Sequence, residues 1–277
     1  MNPCGRDKPN SQYACGWTRA LSLLAIALLF LMMACPLFAD NFSQSKETSQ
    51  EAGFKIAAAA SLRDPLEKIA RTFEQENKVK IRISYGATGS LVTQLIHGAP
   101  FDLFLSADEN EMKRLIAEGL ADTPFQFGLG RIVLWVPNDS HLNIEKDQMQ
   151  TLLNHSIKKI AIANPIHAPY GRAAISALKH FGVDQQIAPK LIYGADMMQA
   201  LQFVESGGAD IGILAYSIVI KRGVGDYFLI PDHAHPPIEH FGGILKKSRS
   251  QVIVKKFVDA ILFGSGKTIL KEYGYTD

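Results

Sequence analysis

The hydrophobic pattern of the chain changes its period at Ser61. The residues just before Ser61 form a short, nearly all-apolar run from Phe54, which is typical of a buried strand. The apolar residues after it recur at helical spacing: Leu62, Leu66, Ile69, Ala70 and Phe73. The pattern therefore predicts a strand that leads directly into a helix.

Ser61 is suited to the N-cap of that helix. Asp64 follows three residues later, as in a capping box, and Pro65 lies in the first turn, where its missing N–H costs little. A helix N-terminus at the carboxyl end of a strand brings free N–H groups together with the positive end of the helix dipole. We therefore expect an anion to bind at this corner.

The rest of the chain alternates short apolar runs with helical patterns. The further elements that we predict are strand 79–85, helix 89–97, strand 102–106, helix 108–118, strands 131–137 and 159–163, helix 171–181, strand 191–193, helix 196–206, strands 211–214 and 238–246, and two C-terminal helices. This alternation is typical of an α/β fold with mainly parallel sheets. Because the pattern starts again after a glycine-rich turn before Arg131, we predict two Rossmann-like lobes with a cleft between them.

Three other strand-to-helix corners resemble the one at Ser61. They are Tyr85–Leu91, Ala163–Ala174 and Tyr193–Ala200. In the first, glycines allow a ligand to approach the backbone closely, and Thr88 or Ser90 can supply a hydroxyl. A single corner of this kind is usually just a capped helix. Four of them, two in each predicted lobe, favour a site that surrounds an oxyanion with neutral donors.

The N-terminal segment differs in composition from the rest of the chain. Basic residues up to Arg19 precede the uncharged stretch Ala20–Ala39, which predicts a secretory signal peptide at 1–39, followed by a polar linker at 40–53. A lipoprotein attached through Cys35 and a retained anchor helix are the alternatives. All three place the body of the protein outside the cytoplasm, and we expect it in the periplasm.

Composition limits the partners that the mature chain could have. The chain of 277 residues is 47% hydrophobic, as expected of a globular protein. Removal of 1–39 leaves 26 basic and 26 acidic residues, whereas binding to nucleic acid or an anionic membrane would call for a basic excess. Cys4, Cys15 and Cys35 all lie in the leader, so the mature chain has no disulfide framework.

Two sets of residues could suggest catalysis or metal binding. His233, His235 and His240 lie close in sequence, but two prolines interrupt them and no fourth ligand is near, so we interpret this segment as a solvated hinge loop. Asp102 and Asp108 could be paired acids, but we interpret them as a strand-start residue and a helix N-cap. The sequence shows no nucleophile–base pair, so we do not expect an enzyme.

Five motifs are spread over nearly the whole mature chain. They are Ala58–Leu62, Gly86–Leu91, Gly98–Asp108, Asn164–Gly171 and Gly194–Met197. Together they resemble the motifs of the periplasmic molybdate-binding proteins of ABC importers.

The resemblance implies a type II periplasmic-binding fold, in which two crossovers join lobe I (54–130 and 237–277) to lobe II (131–236). It also implies that Ser61 and Thr88 bind molybdate through hydroxyl and backbone N–H groups, and Tyr170 and Met197 through backbone N–H. Molybdate or tungstate would be the ligand, with no cofactor. The expected partner is the membrane permease of an ABC importer, and we expect a monomer.

Some alternatives remain open on the sequence alone. Another tetrahedral oxyanion such as sulfate is the alternative ligand, and an enzyme that uses the same cleft is the alternative class of protein. Some family members place a tyrosine hydroxyl on the ion where this chain has Ala215, beside Tyr216 and Ser217, so the fifth contact is undefined. Arg63 and Arg172 follow two of the corners and could reach the anion, although such helical positions often point to solvent.

Overall fold

The computed structural model describes residues 53–277, apart from 138–141 and 143. The predicted signal peptide at 1–39, and all of the predicted linker at 40–53 except Gly53, lie outside the described residues. Within the described part of the chain, no helix is long and apolar enough to cross a membrane.

Two five-stranded sheets organise the described chain. The strands of sheet 1, in spatial order, are β2 (Lys80–Gly86), β1 (Gly53–Ala59), β3 (Leu103–Ser106), β10 (Ile238–Ile244) and β4 (Phe125–Gly130). Those of sheet 2 are β7 (Leu191–Gly194), β6 (Ile160–Ala163), β8 (Ile211–Ala215), β5 (Ile132–Val136) and β9 (Asp226–Leu229). In sheet 1, β10 is antiparallel to the other four strands. In sheet 2, β5 is antiparallel to the other four. The predicted α/β class with two sheets is confirmed. Each sheet is mixed, because four of its strands run in one direction and the fifth is antiparallel to them.

Helices connect the strands and cover the sheets. The described α-helices are α1 (Arg63–Asn77), α2 (Thr88–Ile96), α3 (Glu109–Ala117), α4 (Ile144–Asp147), α5 (Pro169–His180), α6 (Asp184–Ile187), α7 (Met197–Glu205), α8 (Tyr216–Val219), α9 (Gln251–Phe263) and α10 (Ser265–Glu272). The described 3₁₀ helices are Ala60–Leu62, Gln148–Leu153, Ala188–Lys190 and Asp232–Ala234. The predicted strands and longer helices agree with these bounds to within about two residues at each end.

Two expectations about local structure are wrong. The residues before Arg131, predicted as a glycine-rich turn, form β4, because their backbone pairs antiparallel with β10. Ser61 is not a helix cap, since it lies inside the 3₁₀ helix Ala60–Leu62, where Arg63 N–H bonds to the Ala60 carbonyl and α1 begins without a side-chain cap. The strand β9 was not predicted from the sequence at all.

Asp102 and Asp108 have the structural roles that the sequence predicts. The Asp102 carboxylate precedes β3 and accepts hydrogen bonds from Lys55 N–H at 2.8 Å and from Ser248 Oγ at 2.7 Å. Asp108 caps α3 by accepting from the Asn110 N–H at 2.7 Å. The interpretation of these two residues as structural is confirmed.

The chain passes between the sheets twice. Arg131 alone separates β4 from β5, and the return segment 230–237 lies between β9 and β10. Arg131 Nε lies 3.4 Å from the Asp232 carboxylate, so an ion pair links the two crossovers directly. The predicted pair of crossovers is confirmed, and one continuous cluster of buried apolar residues contains strands from both sheets.

His240 lies on β10 in a fully buried aromatic environment, so the interpretation of the histidine segment as a solvated hinge loop is wrong for this residue. Its ring makes edge-on contacts with Phe127, Tyr170 and Tyr275, with ring centres 4.9 to 5.9 Å apart. Burial removes hydration from the charged form and lowers the pKa of His240 to about 3, although a hydrogen bond to the Ile238 carbonyl opposes the shift. The ring is therefore neutral in the native protein near neutral pH. Among the described residues, no three or more His, Cys, Asp or Glu side chains are grouped so that they could hold a metal ion.

We expect the free energy of unfolding to fall by about 1.4 kcal/mol when the pH is lowered from 7.5 to 5.5, because of the titration of His240. As the pH falls through the ordinary histidine value of 6.5, only the unfolded chain takes up this proton, so acid favours unfolding until the native ring titrates near pH 3. Urea unfolding of the wild type and of His240→Phe at both pH values measures the effect. The variant keeps an aromatic ring and cannot titrate, so its acid-induced loss should be smaller by that amount. An equal loss in the two proteins would contradict the prediction.

Candidate functional site

A small pocket lies where the carboxyl ends of strands in both sheets meet the starts of the following helices. It is lined by Ala59, Ala60, Ser61, Gly86, Ala87, Thr88, Ala107, Ala168, Pro169, Tyr170 and Met197. The space in this pocket that the centre of a water-sized sphere can occupy is about 10 Å³, roughly what one water-sized group needs. The pocket therefore suits an inorganic ion or a very small solute.

None of the lining side chains is acidic or basic. The polar groups at the pocket are the hydroxyls of Ser61 and Thr88 together with backbone groups at helix starts. Helix N-termini carry partial positive charge and point N–H donors outward, so they favour a negative guest. The electrostatics of the pocket therefore match an anion.

The helices at the pocket begin without side-chain caps in three of four cases. Ala59, Ala87 and Ala168 hold the N-cap positions of the 3₁₀ helix 60–62, α2 and α5, and no side chain accepts a hydrogen bond there. Ser, Thr, Asp or Asn is preferred at this position, and alanine in its place costs about 1 kcal/mol. An alanine cap accepts none of the first-turn N–H groups, although at α2 the Gly89 N–H donates to the His167 carbonyl. In the fourth case, Asp196 caps α7 by accepting from the Gln199 N–H at 3.0 Å.

The structure brings the four predicted site residues together in this one pocket. Ser61, Thr88, Tyr170 and Met197 all line it, and each is buried. Ser61 Oγ lies near the Tyr170 and Tyr275 hydroxyls but forms no hydrogen bond of ordinary length and angle among the described residues. Thr88 Oγ1 accepts a long bond of 3.4 Å from the Ala107 N–H, which leaves its own proton to donate. Tyr170 is the second residue of α5 and Met197 the first of α7, so both present first-turn N–H groups.

The Tyr170 side chain reaches toward the crossovers. A methyl group at Gly130 would lie only 3.0 Å from Tyr170 Cζ and 2.8 Å from the His240 ring, so this close packing requires the glycine. Burial raises the pKa of the Tyr170 phenol well above its ordinary value, and the hydroxyl stays protonated. Tyr170 therefore lines the pocket and also packs against Gly130, next to the first crossover.

Two contacts across the mouth of the pocket join the sheet 1 side to the sheet 2 side. Gly89 N–H donates to the His167 carbonyl at 3.0 Å, and the Arg172 guanidinium forms an ion pair with Asp108. The two sides of the pocket are therefore in contact with each other in this structure.

Comparison with known proteins identifies the family. A family model described as bacterial extracellular solute-binding protein matches residues 54–276. The chain belongs to this family. The molybdate-binding protein ModA of Azotobacter vinelandii is 33% identical over 261 residues, which are 92% of this chain and 98% of the relative. ModA of Rhodobacter capsulatus is also 33% identical, over 81% of this chain and 88% of the relative.

A solved structure agrees with these relatives. The periplasmic molybdate-binding protein of Azotobacter vinelandii superposes with a TM-score of 0.76 at 27% identity, over 81% of this chain and 99% of that protein. The predicted resemblance and the predicted type II periplasmic-binding fold are both confirmed.

In this solute-binding protein, neither of the two candidate arginines lines the pocket. Arg63 is exposed and lies over the Tyr85 ring, 5.4 Å from its centre. Arg172 pairs with Asp108 and also donates to the Pro165 carbonyl at 3.5 Å. Both guanidinium groups therefore have partners outside the pocket.

The family resemblance left a fifth contact to the ion undefined at Ala215, Tyr216 and Ser217. These residues also lie outside the pocket lining. Ala215 precedes α8, and its N–H faces Met197 Sδ at 3.3 Å. The Tyr216 hydroxyl lies 3.1 Å from the Tyr227 hydroxyl, and Ser217 Oγ donates to the Ser61 carbonyl at 2.7 Å. None of these three side chains reaches the space that the ligand would occupy.

Sequence reasoning missed the alanines at the cap positions. It assigned the cap to Ser61 and looked for hydroxyl residues, because those residues usually cap helices. The sequence does contain a usable signal, since Ala87 directly precedes Thr88 and Ala168 directly precedes Pro169 at two corners. A helix start with alanine where a cap is expected indicates donors kept free for a ligand.

We expect Gly171→Ala to lower the free energy of unfolding by about 1–3 kcal/mol. A methyl group at this position in α5 would overlap the Ala163 carbonyl and lie 2.9 Å from Pro165 N, and backbone atoms cannot rotate away as a side chain can. Chemical denaturation measures the loss. The matched control is Gly86→Ala, because its methyl would lie 3.4 Å from Leu91, an ordinary contact distance. Equal stability of the two variants would show that the α5 backbone at Gly171 does not lie against the Ala163 carbonyl of β6.

Proposed function

We propose that this protein binds molybdate, and also tungstate, in the pocket and delivers it to the membrane permease of an ABC importer. The observation that carries the proposal is that helix starts from both sheets present hydroxyl and N–H donors to one small pocket whose lining has no charged side chain. The protein acts as a periplasmic monomer after removal of 1–39. Residues 54–130 with 237–277 form lobe I, 131–236 form lobe II, and the cleft between them holds the ion.

Neutral donors can hold a doubly charged ion. Ser61 and Thr88 donate through hydroxyl and N–H groups, and Tyr170 and Met197 through N–H groups. Burying an ion without partners is very costly, but hydrogen bonds to charged groups contribute roughly 1.5–3 kcal/mol each. Several such bonds, together with the helix dipoles, compensate for the lost hydration.

The same donors select against protonated oxyanions. Monohydrogen phosphate carries an O–H that needs an acceptor, and the lining has no carboxylate or histidine to provide one. Molybdate has no proton to donate at neutral pH. The pocket therefore discriminates by protonation state as well as by size.

The lining also argues against an enzyme. It contains no His, Cys, Lys, Asp or Glu, so it offers no general base, no thiol and no metal ligand. A bound ion would be held and released unchanged, as transport requires.

Calorimetric titration with molybdate, tungstate, sulfate and phosphate at pH 7.5 tests the proposed function. We expect saturable one-to-one binding of molybdate and tungstate, and at least hundredfold weaker binding of phosphate. The control is Ser61→Asp, which places a carboxylate beside the ion and should abolish binding. Tighter binding of sulfate than of molybdate would overturn the ligand assignment, and a wild type that binds none of the four would overturn the site.

Substitutions in the pocket and near it should show whether neutral donors or cations hold the ion. Ser61→Ala and Thr88→Ala each remove a hydroxyl and keep the N–H, so each should weaken molybdate binding by about 1–3 kcal/mol. Arg63→Gln and Arg172→Gln should each change the dissociation constant less than about tenfold, because an exposed ion pair contributes roughly 0–1 kcal/mol. The same titration measures all four variants. A hundredfold loss in a folded arginine variant would show that a cation neutralises the ion.

A further inference from the structure

The main-chain carbonyl of Ser61 accepts two hydrogen bonds from residues that are remote in sequence. Ser217 Oγ donates at 2.7 Å and the Tyr275 hydroxyl at 3.2 Å, and these two oxygens are 3.4 Å apart. Each of the three residues exposes at most 4% of its surface, so water does not compete for these bonds. Burial raises the pKa of Tyr275 to about 12, and its hydroxyl remains a donor.

Pro65 removes one main-chain donor that could otherwise reach this carbonyl. In an α-helix the carbonyl of residue 61 would accept from the N–H of residue 65, four positions later, and proline has no N–H. A buried carbonyl without a partner is costly. Ser217 and Tyr275 therefore satisfy a group that the helix itself cannot satisfy in this way.

The two donors belong to segments that are attached to different sheets. Ser217 belongs to α8, which follows β8 of sheet 2, and the neighbouring Tyr216 N–H bonds to the Arg131 carbonyl at the first crossover at 2.9 Å. Tyr275 lies in the C-terminal tail, which sheet 1 holds through two backbone bonds between Thr276 and Leu129 at 2.8 and 3.1 Å. The Ser61 peptide is thereby fixed relative to both sheets.

The fixed peptide determines where the Ser61 hydroxyl can point. Ser61 lines the pocket, and its buried Oγ lies near the Tyr170 and Tyr275 hydroxyls without forming a hydrogen bond of ordinary length and angle, so the carbonyl is satisfied while the hydroxyl can still turn to a ligand. We propose that Ser217 and Tyr275 are positioning residues that hold Ser61 so that its hydroxyl meets the bound oxyanion. This inference rests on the proposed function.

The expected effects follow from the two hydrogen-bond lengths. Ser217→Ala removes the shorter bond and should raise the molybdate dissociation constant about tenfold. Tyr275→Phe removes the longer bond and should raise it about threefold. The control is Thr151→Val, which removes a buried hydroxyl outside the pocket. This hydroxyl has no hydrogen-bond partner among the described residues. The variant should leave the dissociation constant unchanged.

A double-mutant cycle with Ser61→Ala tests whether Ser217 acts through the Ser61 hydroxyl. Calorimetry on the wild type, both single variants and the double variant should show that Ser217→Ala costs tenfold in the wild type and less than threefold when Ser61 is already alanine. An equal factor in both backgrounds would overturn the positioning role. Tyr275→Phe supplies the same cycle if Ser217→Ala does not fold, which circular dichroism would show.

The wild-type titration separates this inference from the proposed function. If the wild type binds sulfate in place of molybdate, the ligand assignment is wrong and the same cycle, run with sulfate, still decides the role of Ser217. If the wild type binds molybdate and the cycle shows no coupling, only the positioning role is overturned. A wild type that binds no oxyanion overturns both.

Discussion

A buried anion needs hydrogen-bond donors that nothing else in the protein uses, and this requirement explains the structure around the pocket. Ala87 and Ala168 begin α2 and α5 without a side-chain cap. A serine or aspartate at either position would stabilise its helix by about 1 kcal/mol. It would also occupy a donor, and aspartate would place negative charge beside the ion. The helices are therefore weaker at their first turns, and packing of both sheets in one continuous core offsets the loss.

The topology brings these helix starts together. Strands β1 and β2 of sheet 1 and β6 and β7 of sheet 2 each lead into a helix at their carboxyl ends, and parallel neighbours put those ends on the same edge. The crossovers then turn the two edges toward each other. Arg131 and Asp232 form an ion pair between the two crossovers.

Local pattern predicted the four corners, and the family resemblance implied the four pocket residues, but neither could predict what holds them. The change of period at Ser61 is visible within twenty residues, and a strand-to-helix corner is a local feature. The bond from Ser217 to Ser61 spans 156 positions, and the pair of Arg172 with Asp108 spans 64. Such contacts depend on how the sheets dock. Strand β4 was missed for the same reason, because its glycine-rich sequence becomes a strand only by pairing with β10.

Because no lining side chain of the pocket is charged, selectivity between fully deprotonated oxyanions of equal charge must come from the size of the pocket. A cation in the pocket would attract sulfate, molybdate and phosphate alike. In the described structure the nearby Arg172 is instead paired with Asp108 at the rim. The size of the pocket depends on where the Ser61 and Tyr170 peptides stand. Both are held from outside it, Ser61 by Ser217 and Tyr275, and Tyr170 by the packing of its ring against Gly130 and His240. On the proposed binding mode, the residues that determine which ion fits are therefore in large part residues that do not touch it.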